Sequence, residues 1–154
     1  VSYAAVEAGA LRVLRKLTEF DTGNSALNDF RILQQAKSYY VVIIRGTGNR
    51  AEIQQTDVQA NGSLGRRHLR RITIRVFVPY TVDALVARTS LNSIVQTTLD
   101  KFDQYPHLDQ TAGVMGTDAD SLPRPEEYTY EDKRFFEQEI QLNVEFEERV
   151  TVLE

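Results

Sequence analysis

The chain has no cysteine. That excludes disulfides, thiolate metal sites and a cysteine nucleophile, and it suits a reducing compartment. Histidine occurs only at His68, inside a basic cluster, and at His107, after Pro106. Neither has carboxylate or histidine neighbours at metal-ligand spacing, so both are expected on the surface and no metal site is expected. No apolar run approaches the roughly 20 residues of a membrane span. The longest, residues 39–44, is strand-sized. A basic-apolar-small leader pattern is missing from the opening residues, and no serine elbow, P-loop or His-Glu-x-x-His motif occurs.

What is present fits an ordinary globular chain. At 154 residues, 42% hydrophobic and 26% charged, one domain spanning residues 1–154 with a genuine core is expected. The net charge of −4 hides an asymmetry. Residues 1–80 hold 12 Lys/Arg against 6 Asp/Glu, and residues 81–154 hold 6 against 16. Such a division serves nucleic-acid contact, head-to-tail contact between copies, or nothing beyond two solvated surfaces.

The clearest pattern lies near the end. Phe136, Ile140, Leu142, Val144 and Phe146 alternate with Glu137, Glu139, Gln141, Asn143, Glu145 and Glu147. That is a β-strand with one apolar and one acidic face. It is longer than a small core covers, so part of it is expected to project or to pair outside its own subunit. Paired acids can do acid/base or metal chemistry, but four glutamates spaced along an open strand read better as a solvated face.

Residues 2–20 carry apolar side chains at helical steps (Val6, Ala10, Val13, Leu17, Phe20), and residues 26–35 read as a connector or weak edge strand. Residues 39–45 and 72–79 read as an antiparallel pair of strands. Between them residues 46–70 form a polar stretch, expected as a long projecting arm. Thr81 is a plausible cap for a helix running to about Gln104. Residues 112–115 suggest a short strand, and residues 116–133 a second loop. The predicted fold is α+β: a four-stranded, mostly antiparallel sheet with two main helices on one face and a long β-arm.

Two motifs invite chemistry. Gly46-Thr47-Gly48-Asn49-Arg50-Ala51 has dinucleotide-turn spacing after a buried strand. No amphipathic helix follows it, and Arg66-Arg67-His68 stands where an acidic ribose ligand is required, so a plain turn and no cofactor are expected. The run from Gly65 to Arg71 holds Arg66, Arg67, Arg70 and Arg71. Their planar forks suit phosphate or carboxylate, which leaves duplex DNA, an acidic neighbouring subunit or a solvated edge as partners. Without interleaved aromatics the cluster is poorly suited to single strands.

With these elements in order, the chain resembles the tail terminator (tail-completion) proteins of long-tailed bacteriophages. The likeness rests on the helix over residues 11–20, the passage VFVPYTVDALVARTSLNSIVQTTLDKF and the closing strand IQLNVEFEERV. The resemblance implies a non-enzymatic virion protein that forms a hexameric ring in the neck. Such a ring caps the tail tube, ends its polymerisation and joins the head connector, while DNA passes through the bore without specific binding. The charge reading fits such a ring, with subunit or partner contacts expected through Arg66, Arg67, Arg70 and Arg71, and the acidic strand face of Glu137, Glu139, Glu145 and Glu147 turned to the bore. Head-completion adaptor rings and a nucleic-acid-binding module remain alternatives.

Overall fold

The computed structural model describes residues 3–44, 48–49, 55–58, 63–80, 83–121 and 125–151. Its elements in chain order are α1 (Tyr3–Leu14), β1 (Ser25–Leu27), a 3₁₀ turn (Phe30–Gln34), β2 (Tyr40–Ile44), β3 (Gly48–Asn49) and β4 (Gln55–Val58). Then come β5 (Ser63–Pro79), α2 (Ala84–Gln104), β6 (Val114–Ser121), β7 (Glu126–Tyr130) and β8 (Lys133–Thr151).

The α+β class with two α-helices holds, but the predicted four-stranded sheet does not. All eight strands join one sheet of order β1-β2-β5-β8-β6, with β3 and β4 also on β5 and β7 also on β8. The sheet is mixed because β1 runs parallel to β2, while the other pairs are antiparallel. The two helices do not make a simple layer on one face either. α2 lies against β5, β6 and β8, whereas α1 lies nearest β1 and α2. The opposite side of the sheet has a core of its own beneath the 3₁₀ turn.

Strand alternation creates both cores. In β5, Ile72, Ile74, Val76 and Val78 point one way, and in β8 so do Phe136, Ile140, Leu142, Val144 and Phe146. They pack with Val6, Ala10, Val13 and Leu14 of α1 and with Leu91, Ile94, Val95 and Phe102 of α2. On the other side Phe77 and Phe135 meet Ile32, Leu33 and Tyr40. Gly9 marks the tightest approach of α1, because a Cβ there would run into the Thr111 side chain and sit 3.2 Å from Leu108 Cβ. Only glycine leaves that room.

The dominant element is the β5–β8 ladder, which runs unbroken from Pro79 opposite Phe135 to Ser63 opposite Thr151. β5 is 17 residues long. At roughly 3.4 Å per residue it spans about 55 Å. This corrects three expectations. The overlong β8 finds its partner within its own chain. Residues 63–70 are strand instead of the base of an arm, and β3 and β4 pair with them. Residues 116–133 are largely strand too, since β6 extends to Ser121 and β7 follows. In the last two cases backbone pairing orders a segment that is mostly polar in sequence, and apolar periodicity does not register it.

Local caps follow expected chemistry at shifted positions. Asp83 caps α2, accepting from Leu85 N at 3.0 Å and Val86 N at 3.4 Å, in place of the predicted Thr81, which lies outside the described residues. Asp29 caps the 3₁₀ turn and accepts from Arg31 Nε and Nη2 at 2.9 and 2.8 Å. The Arg31 side chain, helped by its backbone N–H, lowers the Asp29 carboxyl from 3.8 to about 2. A depressed folded-state value means that the contribution is present above about pH 4 and is lost as pH falls through about 2. Asp29→Asn should therefore lower stability slightly at neutral pH and leave it nearly unchanged below about pH 2, which flattens the acid limb of a stability-against-pH curve in that window; an unchanged acid limb would contradict the pairing.

Candidate interaction surface

β5 is basic and β8 acidic, and the antiparallel register sets the two rows side by side. Arg66 stands opposite Glu148, Arg67 opposite Glu147, Leu69 opposite Glu145, Arg71 opposite Asn143, Arg75 opposite Glu139 and Phe77 opposite Glu137. The charge asymmetry between the halves of the sequence is thus partly matched within one molecule. β6 extends the acidic side, with Asp118 opposite Asn143 and Asp120 opposite Gln141.

The predicted interface arginines separate into different environments. Arg70 is buried. Its Nη2 donates to Glu7 Oε1 at 2.9 Å, and its guanidinium lies 4.4 Å from the Tyr3 ring centre. Arg67 is partly exposed and stands 3.7 Å from Glu145. Arg71 is exposed. Arg66 lies in β5 by register, and its side chain falls outside the described residues. As a surface for another molecule the cluster therefore presents Arg67 and Arg71. Arg70 holds α1 to the ladder.

The predicted acidic face divides as well. Glu137 is buried, and its carboxylate takes both Nε and Nη2 of Arg75 at 2.5 Å in a two-pronged pair. Phe30, Phe77 and Tyr128 surround the guanidinium at 4.8–5.1 Å from their ring centres. Burial opposes the charge on Arg75, but the Glu137 hydrogen bonds and charge outweigh it and raise its pKa. Glu139 and Glu147 are half-buried and Glu145 is exposed, so they make up the acidic outer face without Glu137. Burial by the 3₁₀ turn removes Glu137 from that face.

One cluster escapes a first reading of the sequence. His68 is buried, not superficial: it stacks on Phe146 at 5.1 Å, meets Tyr3 edge-on at 6.2 Å, and sets Nε2 3.0 Å from Glu148 Oε2. With Glu7 and Arg70 it seals the far end of the main core under the start of α1. Two signals mark it. Tyr3, Glu7, Ala10 and Leu14 share helical spacing, which puts a carboxylate in an apolar stripe and calls for a buried cation. His68 and Arg70 are in phase with Ile72 and Ile74, so the inward row of β5 begins before its first aliphatic residue. His107 is exposed, with Nδ1 3.0 Å from Val114 O.

No group of three or more His, Asp or Glu side chains among the described residues could hold a metal ion. Of the predicted glycine turn only Gly48 and Asn49 are described, as β3 opposite Arg70 and Leu69. Gly46, Thr47, Arg50 and Ala51 lie outside the described residues. No helix among the described residues is long and apolar enough to cross a membrane. What the ladder offers is a polar sheet face with a basic row on β5 and an acidic field across β8 and β6. No protein-family model and no curated protein matches the chain.

Proposed function

We propose that the chain is a non-enzymatic structural subunit of a long-tailed phage neck, a tail terminator that joins copies of itself into a ring. The ring, six subunits by the family resemblance, caps the tail tube, ends its growth and receives the head connector. The observation that carries this reading is the reach of the ladder. Its register runs from Pro79 opposite Phe135 to Ser63 opposite Thr151, and His68 with Phe146 is the last pair that is buried among the described side chains. A paired ladder of about 55 Å offers a long, stiff surface for contact with a neighbour.

A closed ring joins unlike faces of successive copies. Here the basic row at Arg67 and Arg71 meets the acidic field of the next copy, around Asp118, Asp120 and Glu139, and charge sets the register of the contact. Glu145 and Glu147 face the bore, where their charge lets DNA slide without being gripped. Duplex binding through the arginines has less support, because Arg70 and Arg75 are held by Glu7 and Glu137 within the chain. Virions assembled without this protein test the reading. Unjoined heads and tails of irregular length are expected, and normal joined particles with tails of uniform length would end it.

A further inference from the structure

We propose that a cleft at the Pro79–Phe135 end of the ladder docks an acidic segment of a partner protein. The cleft, of about 560 Å³, opens between residues 35–38, the end of β5 at Pro79 and Tyr80, and the start of β8 at residues 133–135. Lys37, Lys133 and Arg134 line it, above an apolar lining that includes Tyr40 and Phe135. This assignment is independent of the ring reading, since none of these residues belongs to the charged rows described above.

The site is built before any ligand arrives. The Tyr40 hydroxyl donates to Gln35 O and accepts from Lys37 N at 2.7 Å, which fixes the wall at residues 35–37. Lys133 Nζ donates to Gln34 O at 2.7 Å, which leaves two ammonium protons for a carboxylate. Arg134 lies 4.4 Å over Tyr80 and 3.1 Å from Glu127. Lys37 has no ion pair among the described residues. Fixed walls lower the ordering cost of a bound segment.

Charge and stacking select the class of partner. Glu127, on Arg134, and Glu131, on Gln34 Nε2 at 3.1 Å, stand beside the cations. A polynucleotide carries a charge on every residue and meets both carboxylates unfavourably, whereas a peptide can place one or two acids among apolar side chains. The Tyr80 ring is already occupied, by Arg134 and by Phe136 at 4.9 Å, so it offers no free platform for a base.

The probe is a capped peptide of alternating Glu and Leu, titrated into the ¹⁵N-labelled full chain. Amide shifts are expected at residues 35–38, 80 and 133–135, diminishing in about 0.5 M salt. Lys37→Glu with Lys133→Glu should weaken binding by about tenfold or more. Both side chains are exposed, and a dispersed amide spectrum checks that the double variant folds. If it does not, a peptide with Lys in place of Glu takes its place and should produce no shifts. Several results would overturn the proposal: none of those amides moving at saturating peptide, a single-stranded oligonucleotide displacing the peptide, or inorganic phosphate alone reproducing the shifts.

Discussion

Glu137→Ala is expected to lower stability by about 3–5 kcal/mol, because it leaves the Arg75 guanidinium charged and unpaired in an apolar setting. The side chains of Arg75 and Glu137 are only 16% and 7% exposed, and they meet in a two-pronged geometry that satisfies both ends at once. The comparison is Glu145→Ala on the same strand face. Its carboxylate is 51% exposed and stands 3.7 Å from Arg67, so the change should stay within about 0.5 kcal/mol. Urea midpoints at equal slope measure both variants. Replacing the pair together, Arg75→Met with Glu137→Leu, should recover much of the loss, since the penalty lies in the orphaned charge. Equal shifts for Glu137→Ala and Glu145→Ala would show that the buried pair has been misassigned.

Arg67→Glu with Arg71→Glu is expected to abolish assembly while leaving the subunit folded. Inversion sets like charges against the acidic field of the next copy, at a cost of several kcal/mol, which is on the order of a hundredfold in association. Arg71 is exposed, and Arg67→Glu sets a carboxylate opposite Glu147 and beside Glu145, a cross-strand penalty of about 0.2–1 kcal/mol that is small against the effect on association. Sedimentation of the variant against the wild-type chain measures the effect, with far-ultraviolet circular dichroism to confirm the fold. Asp118→Arg with Asp120→Arg, added to wild-type subunits at equal amounts, should likewise cap growing assemblies, since each such subunit keeps one competent face. Unaltered assembly in both experiments would separate the charged rows from the contact between copies.

How much of this was legible in the sequence depends on what each residue answers to. The apolar halves of β5 and β8 were plain, because burial of Ile72 to Val78 and of Ile140 to Phe146 imposes a period of two. α2 was plain for the same reason at a period near 3.6. The distal half of β5 was hidden, since Arg66, Arg67, Arg70 and Arg71 leave no apolar alternation, and their strand is specified by pairing with Glu148, Glu147, Val144 and Asn143, far along the chain. β6 beyond its start at residues 114–115 and all of β7 were hidden because edge strands bury little, and Asp118 and Asp120 read as loop composition. The parallel pairing of Ser25–Leu27 with β2 depends on backbone geometry alone.

The candidate surface was legible as charge but not as arrangement. Counting showed a basic half and an acidic half, and the natural inference was that they meet between copies. Pairing of β5 with β8 matches part of that charge inside each subunit and takes Glu137 from any outer contact, while Glu7 of α1 takes Arg70. Glu7 carried the missing clue. A carboxylate in phase with Val6, Ala10 and Leu14 requires a buried partner, and Arg70 supplies it.

Native mass spectrometry of the purified chain over increasing concentration tests the central claim most directly. A single closed multimer of defined copy number, dissociating to monomer as salt rises, is the predicted result. A chain that stays monomeric throughout, or that forms an open series of ever-larger species, would contradict it.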